Sequence, residues 1–311
     1  MVTVNTGAPF LQSDGWMRFQ EKIGKTLVRD GSDGWKYAAI VEKGRFGSRL
    51  YAPYGPLFDD ANSLADALKS MLDQARRLNL DFIRFEPTHE TPEVLQILRS
   101  FGATVANSTV QPQDTIVNDI NGGFEQVFAS LSPTTKKHWR RAQKSNIEFS
   151  SSTSVDDIEH FLDIMKDISA RTKTTPHSDN YYRQLTLSLF PEHAGLVFAK
   201  LGGKVIASIL FFKYDGVFIN AHGGMFGEYR SINASEILEV YALSFAASLG
   251  LKYFDFWGVA PAGAPENHPW AGFTKFKKRF KGQRVHYAGT WEIPVKAFKY
   301  KFYRLLLKVA G

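Results

Sequence analysis

Between Ser132 and Lys144 the chain carries Lys136, Lys137, Arg140, Arg141 and Lys144 and no carboxylate. Ser132 suits the N-cap of a helix and Pro133 its first position, and the spacing then lines Lys137, Arg140, Arg141 and Lys144 along one stripe. Like charges on a stripe repel, and a helix that meets only water intersperses acids among them, so phosphate is the expected counter-charge. A second basic run, from Lys275 through Phe276, Lys277, Lys278, Arg279 and Phe280 to Lys281, alternates cations with aromatics. Such interleaving suits base stacking beside phosphate contact; it suits equally a short element whose Phe276 and Phe280 are core. The formal charge of +7 and a pI near 9.3 agree with a polyanionic partner without requiring one.

Other chemistries close on composition. The 311 residues include no cysteine, which excludes disulfides, thiolate nucleophiles and sulfur-ligated zinc. The histidines other than His177 show no metal-ligand spacing, so no metal is expected, and no cofactor is expected either. No segment approaches the roughly 18 consecutive apolar residues of a membrane span, and residues 1–10 lack a basic start and an apolar run. A cytoplasmic location is expected, extending to the inner face of the plasma membrane. The basic amphipathic segment Val295–Val309, with Lys296, Lys299, Lys301, Arg304 and Lys308 around Phe298, Phe302 and Leu305, suits either an anionic membrane surface or packing on the first domain.

The elements that must position these residues follow from periodicity. Single cores stop growing at roughly 250–300 residues, so two domains are expected. In the first half, strand-like runs at Trp35–Val41 and Ser48–Ala52 flank a hairpin turn at Gly44-Arg-Phe-Gly47. A helix at Ser63–Leu78, a buried strand at Phe82–Phe85, a helix at Pro92–Phe101 and strands at Thr104–Ala106 and Thr115–Asp119 follow. The second half reads as helices near Phe124–Leu131 and Pro133–Lys144, a strand at Ile147–Ser151, and helices at Val155–Arg171 and Asn180–Phe190. A three-strand meander over 196–222, a helix at Ser235–Ser248 and a strand at Tyr253–Trp257 complete it. A meander feeding a helix and a further strand is the order of the N-acetyltransferase (GNAT) fold, and it occurs twice, which makes the fold class α/β (α+β) with two tandem GNAT-like domains. Domain 1 is assigned to 1–122 plus 290–311 and domain 2 to 123–289. Acetyl-CoA enzymes of this fold seat pyrophosphate on backbone amides at a glycine-containing turn before a helix; Arg230-Ser-Ile-Asn-Ala-Ser235 puts Asn233 where the first glycine belongs, and its side chain opposes that use.

The Lys/Arg helix from Ser132, the strand Phe254-Asp-Phe-Trp-Gly258, the segment His268-Pro-Trp-Ala-Gly-Phe273, and Phe276-Lys277-Lys278-Arg279-Phe280 followed by Tyr287-Ala-Gly289 together resemble the Fem-type (FemABX) peptidoglycan aminoacyltransferases. Leu11-Gln-Ser-Asp-Gly-Trp16 and Tyr54-Gly-Pro56 extend the likeness to the first half, so that it covers about residues 10 to 305. No sustained heptad matches the coiled-coil arm of longer members, and the chain looks like the compact, armless type. The resemblance implies twin acyltransferase-like domains with the last helix returning to domain 1, on the precursor side, and domain 2 on the aminoacyl-tRNA side. It also implies the activity: transfer of an amino acid from aminoacyl-tRNA, as co-substrate, to the side-chain amine of a stem peptide in UDP-MurNAc-peptide or lipid II.

Aminolysis of an activated ester needs alignment and oxyanion stabilisation more than a nucleophilic triad. The resemblance makes Lys277 the cation facing the oxyanion or terminal ribose-phosphate, with Phe276 shaping the same pocket. Gln20 stands where compact members carry a precursor-binding lysine, a departure that Lys22 or Lys25 could offset. Glu86 matches an acidic position able to anchor or deprotonate the amine. His177 falls where the family reaches the precursor, with Tyr181 one turn on. Lys137, Arg140, Arg141, Lys144, Lys275 and Lys278 are the expected tRNA contacts. Three rivals stay open: an acyl-CoA-dependent N-acyltransferase, an aminoacyl-tRNA transferase with a protein or lipid acceptor, and a non-catalytic RNA-binding protein.

Overall fold

A computed structural model describes residues 9–44, 47–172 and 175–310. Arg45 and Phe46 of the expected hairpin turn lie outside the described residues. The chain forms two compact units: Leu11–Gln113 with the segment from His286 onward, and Asp114–Val285 with Phe10.

The first unit opens with α1 (Asp14–Lys22), β1 (Thr26–Ser32), β2 (Trp35–Gly44), β3 (Gly47–Ala52) and the two-residue β4 (Leu57–Phe58). Then come α2 (Ala61–Arg77), β5 (Phe82–Phe85), α3 (Pro92–Ser100) and β6 (Thr104–Val105). The second unit runs from β7 (Asp114–Asp119) through α4 (Phe124–Ser130), α5 (Pro133–Ala142), β8 (Ile147–Ser152), α6 (Ile158–Thr172) and α7 (Asp179–Leu189). Its meander is β9 (Ala194–Leu201), β10 (Lys204–Tyr214) and β11 (Val217–Met225), followed by α8 (Ala234–Ser248), β12 (Tyr253–Val259), α9 (Ala271–Lys277) and β13 (Gln283–His286). β14 (Trp291–Pro294) and α10 (Ala297–Ala310) then rejoin the first sheet and its core.

The first sheet has the order β1-β2-β3-β5-β14-β6, with β4 on β2, and the second β13-β7-β12-β11-β10-β9-β8. Each contains an antiparallel meander, then a helix, then a strand parallel to the meander's last strand: β3 beside β5, and β11 beside β12. Mixed α/β architecture with two GNAT-like halves is therefore what the structure shows. The strand at Asp114–Asp119, read from sequence as the close of domain 1, ladders on β12 of the second sheet, Tyr253 opposite Asp119 and Val259 opposite Asp114. Phe10 likewise stacks on Phe212 of the second unit at 4.5 Å. The units accordingly divide after Gln113 and Val285, not near 122 and 290.

In the first unit α2 starts at a capping box: Asp60 accepts from Ser63 N at 2.8 Å and Asp60 N donates to Ser63 Oγ at 2.9 Å. Leu64, Leu68, Met71, Leu72 and Ala75 recur at helical spacing and are buried with Tyr37, Leu50, Ile83 and Phe85 of the sheet. The return of the chain end rests on two contacts. Tyr300 and Tyr303 of α10 pack on Phe82 with ring centroids 5.3 and 4.8 Å away. Beneath them the buried Arg84 of β5 donates through Nε to Glu292 of β14 at 2.9 Å, while Arg84 Nη2 donates to the Tyr303 hydroxyl at 3.0 Å and Tyr300 donates to Glu292 at 2.9 Å. The last helix therefore belongs to the first unit, as the resemblance implied.

Candidate active site and basic face of the second unit

β11 and β12 pair over three residues only: Val217 with Tyr253, Phe218 with Phe254, Ile219 with Asp255. Both strands continue past that point, β11 to Met225 and β12 to Val259, so they part within the sheet. β11 also holds one extra residue, Ala221, between the pairs Asn220/Phe211 and His222/Leu210. A bulge beside a departed strand leaves backbone donors and acceptors without ladder partners on one side. Such groups, fixed by the sheet, are suited to bind a carbonyl oxygen that gains charge.

Three ionisable side chains gather where the strands part. Asp255, the last residue of β12 paired with β11, accepts from Trp257 N at 2.7 Å and from the Thr115 hydroxyl, and so holds Trp257 at a left-handed φ of 62°. Glu239 of α8 is buried and accepts from Asn220 Nδ2 at 2.6 Å, while its second oxygen is buried with no hydrogen-bond partner among the described residues. Lys277, the last residue of α9, donates to the Gly258 carbonyl at 2.8 Å. α9 is pinned over the end of β12 by Thr274, whose hydroxyl accepts from Ala260 N and donates to Trp270 O, each at 2.8 Å.

The electrostatics of the three are mutual. Burial pulls the Lys277 ammonium down to about 8, against the pull of Glu239 and Asp255, which favour its charge. Burial pushes Glu239 up to about 7, with Lys277 and the Asn220 bond opposing. Asp255 is likewise raised by burial, against the Thr115 and Trp257 bonds and the Lys277 charge. A buried lysine and a buried carboxyl whose equilibria are both moved toward neutrality make the parting of β11 and β12 a candidate site. Sequence reasoning missed Glu239 and Asp255. The signal was present: a carboxylate within the otherwise apolar Ile237–Ala242 stretch, and another between Phe254 and Phe256.

The two basic runs meet. Buried Glu236 of α8 accepts from the Thr135 hydroxyl at 2.6 Å, from Arg279 Nη1 at 3.2 Å, and pairs with His138 Nδ1 at 3.0 Å. Ser132 N also donates to Arg279 O at 3.3 Å. Elements some 140 residues apart in sequence thus lie side by side, and their cations Lys137, Arg140, Arg141, Lys144, Lys275 and Lys278 are all exposed. Lys144 stands just past the helix, which ends at Ala142. The aromatics of the second run are not stacking platforms. Phe280 is fully buried against Phe256 at 4.8 Å and Phe276 packs edge-on to Phe280 at 5.4 Å, so both belong to the core. Exposed rings do flank the run, at Trp270 and Phe273.

The rings of His177 and Tyr181 stack 4.0 Å apart, and His222 of β11 joins them with its ring 5.9 Å from His177 and 5.5 Å from Tyr182. Burial, with the His177 ring beside it, pushes His222 down to about 4, which keeps it neutral. Gln20 and Glu86 lie in the first unit. Gln20 is buried on α1, whereas Lys22 and Lys25 are exposed. Glu86 is buried with both oxygens engaged: Oε1 accepts from Thr290 at 2.8 Å and Gln111 N at 3.2 Å, and Oε2 from Tyr51 at 2.8 Å and Tyr54 N at 3.3 Å. That pattern braces the Tyr54-Gly-Pro56 turn and corrects the expectation that Glu86 faces an incoming amine. Gln12 supports the same turn, donating to Pro53 O at 2.7 Å, and a Cβ at Gly55 would lie 2.7 Å from the Gln12 amide. The motif residues of the first half therefore fit one another.

At the α8 entrance, Asn233 takes the left-handed conformation, φ 58°, that glycine would favour, and the preceding residues Gly227–Ile232 form a 3-10 turn.

The sequence profile of the FemAB family matches residues 99–205 and 200–308. The chain belongs to the FemAB family. FemAB proteins are peptidoglycan interpeptide-bridge aminoacyltransferases, and acyl transfer onto that class of acceptor is the general function this membership carries. A crystal structure of FemX superposes with a TM-score of 0.84 at 15% identity, covering 94% of each chain. The C-terminal domain of a putative lysylphosphatidylglycerol synthetase from Agrobacterium fabrum gives 0.64 at 12% identity, covering 96% of this chain and 92% of that one. A tandem GNAT protein from the clavulanic acid biosynthesis pathway gives 0.57 at 11% identity, over 90% and 87%. At these identities the likeness is one of fold. No curated protein sequence matches this FemAB chain.

Proposed function

We propose that this FemAB protein transfers an amino acid from aminoacyl-tRNA to the stem-peptide side-chain amine of a peptidoglycan precursor, UDP-MurNAc-peptide or lipid II. The observation that carries the reading is the position of Lys277: it comes from the same short segment, Lys275–Lys281, that contributes Lys275 and Lys278 to the basic face, and its ammonium sits at the parting of β11 and β12. A polyanion held on Lys137, Arg140, Arg141, Lys144, Lys275 and Lys278 would have its acylated end close to that ammonium.

The chemistry is ester aminolysis. The neutral precursor amine attacks the aminoacyl carbonyl, a C–N bond forms, and the tetrahedral oxyanion is stabilised by the Lys277 ammonium and by unladdered backbone N–H groups of β11. Collapse breaks the ester C–O bond; the proton lost by the amine ends on the departing ribose hydroxyl. Phe276 sets the height of Lys277 through its packing on Phe280. His177 and Tyr181 are the precursor contacts of the second unit. Gln20 is the corresponding position of the first, with exposed Lys22 and Lys25 able to supply the charge it lacks. No metal or cofactor is required by these steps. The reading places the protein in the cytoplasm, where both substrates are made, and in peripheral contact with the inner membrane face.

The experiment is direct. Protein is incubated with charged tRNA and UDP-linked pentapeptide, and the precursor is weighed by mass spectrometry. A gain of one amino-acid residue supports the reading; transfer from acyl-CoA with no use of charged tRNA overturns it.

A further inference from the structure

The packing of α10 uses only one side of the helix. Tyr300, Tyr303 and Leu307 face the first unit's core, and Lys296 and Arg304 turn toward the same side, within 3.4 Å of Asp81 and 3.9 Å of Glu292 respectively. On the opposite side Phe298, Phe302 and Leu305 repeat at helical spacing and are 86%, 56% and 58% exposed. Lys301 borders this apolar strip on one edge and Lys299 on the other; both are exposed, Lys299 lying 3.7 Å from Asp81. No Asp or Glu occurs after Glu292. A helix presented only to water would not expose two phenylalanines and a leucine in register.

We propose that this face of α10 docks on an anionic lipid bilayer, the apolar strip entering the headgroup boundary and the lysines meeting lipid phosphates. The charge pattern selects this occupant: a protein groove would be matched by the apolar strip alone, whereas lysines on both edges and no acid in the helix complement a uniformly negative plane. The inference stands apart from the transferase reading, since it needs only the helix and its exposure, and it gives that peripheral contact a surface.

Flotation of the full-length protein with vesicles tests it. Vesicles of phosphatidylcholine alone are compared with vesicles containing a third phosphatidylglycerol, for the parent, Phe298→Glu/Phe302→Glu and Lys299→Gln/Lys301→Gln. The parent floats with the anionic vesicles, and each double variant loses binding by about tenfold or more. Failure of the parent to float, or unchanged flotation of the Phe298→Glu/Phe302→Glu protein, overturns the proposal. So does a dimer in sedimentation velocity that the same variant dissolves, because the face would then be a self-interface. Transfer to soluble precursor, measured on the same preparations, reports on the enzyme separately.

Discussion

The Lys277 ammonium donates to the Gly258 carbonyl at 2.8 Å, which fixes the end of α9 to β12 just beyond the point where β12 leaves β11. That one bond ties the basic segment to the split in the sheet and places a cation of lowered proton affinity within electrostatic reach of the Glu239 and Asp255 carboxyls.

A pH profile follows from it. If the protonated lysine stabilises the oxyanion, kcat falls as pH rises through about 8, where burial sets the Lys277 equilibrium. Arginine stays charged well beyond that pH, so in Lys277→Arg any remaining activity should keep its value on the alkaline side. Identical alkaline limbs in the two proteins would remove Lys277 from the titrating step.

Glu239 predicts a stability trend with the opposite cause. Burial holds its carboxyl at about 7 in the folded chain, against an ordinary value of 4.5. The native state therefore holds a proton that the unfolded chain releases, and this contribution is present below pH 4.5 and lost as pH rises through about 7. Glu239→Gln keeps the acceptor for Asn220 and abolishes the titration. Denaturant melts should show it more stable than the parent well above pH 7 by about 3 kcal/mol, with no difference at the acid end. A constant offset across the range would contradict the burial argument.

The basic face makes a prediction about salt. Arg140→Ala with Arg141→Ala removes two exposed cations from α5, and the slope of log binding constant for tRNA against log salt should flatten by about 1.5. Retention of the parental slope would exclude this helix from the RNA surface.

In the first unit, Glu292→Gln leaves the Arg84 guanidinium buried beside a neutral group. Breaking a buried pair from one side costs about 3–5 kcal/mol, to be read as a lower denaturant midpoint at unchanged slope. A loss under about 1 kcal/mol would mean that Arg84 keeps enough partners in Tyr303 and solvent.

Much of the fold was legible because its signals are local. The second meander, α2 and α5 announce themselves through periodicity, turn glycines and the Ser132-Pro133 cap. β1 was not legible: Thr26–Ser32 is an edge strand with no buried residue, so it carries little alternation to read. β14 is four residues long and gains its place by pairing with β5 and β6, some 200 residues earlier. The same distance problem shaped the site. Lys277 was legible only through resemblance, since nothing in Phe276-Lys277-Lys278 distinguishes it from its exposed neighbour; burial beside Glu239 does, and burial is a tertiary property. Glu236 could not be assigned from sequence because its three partners lie on α5 and beyond α9.

The most direct test of the account is a single-turnover measurement of aminoacyl transfer, with enzyme in excess over charged tRNA and saturating precursor, for the parent and Lys277→Ala. The account predicts a fall of at least about a hundredfold in the rate of the transfer step, with tRNA and precursor binding unchanged. Parental single-turnover rate in Lys277→Ala would contradict it.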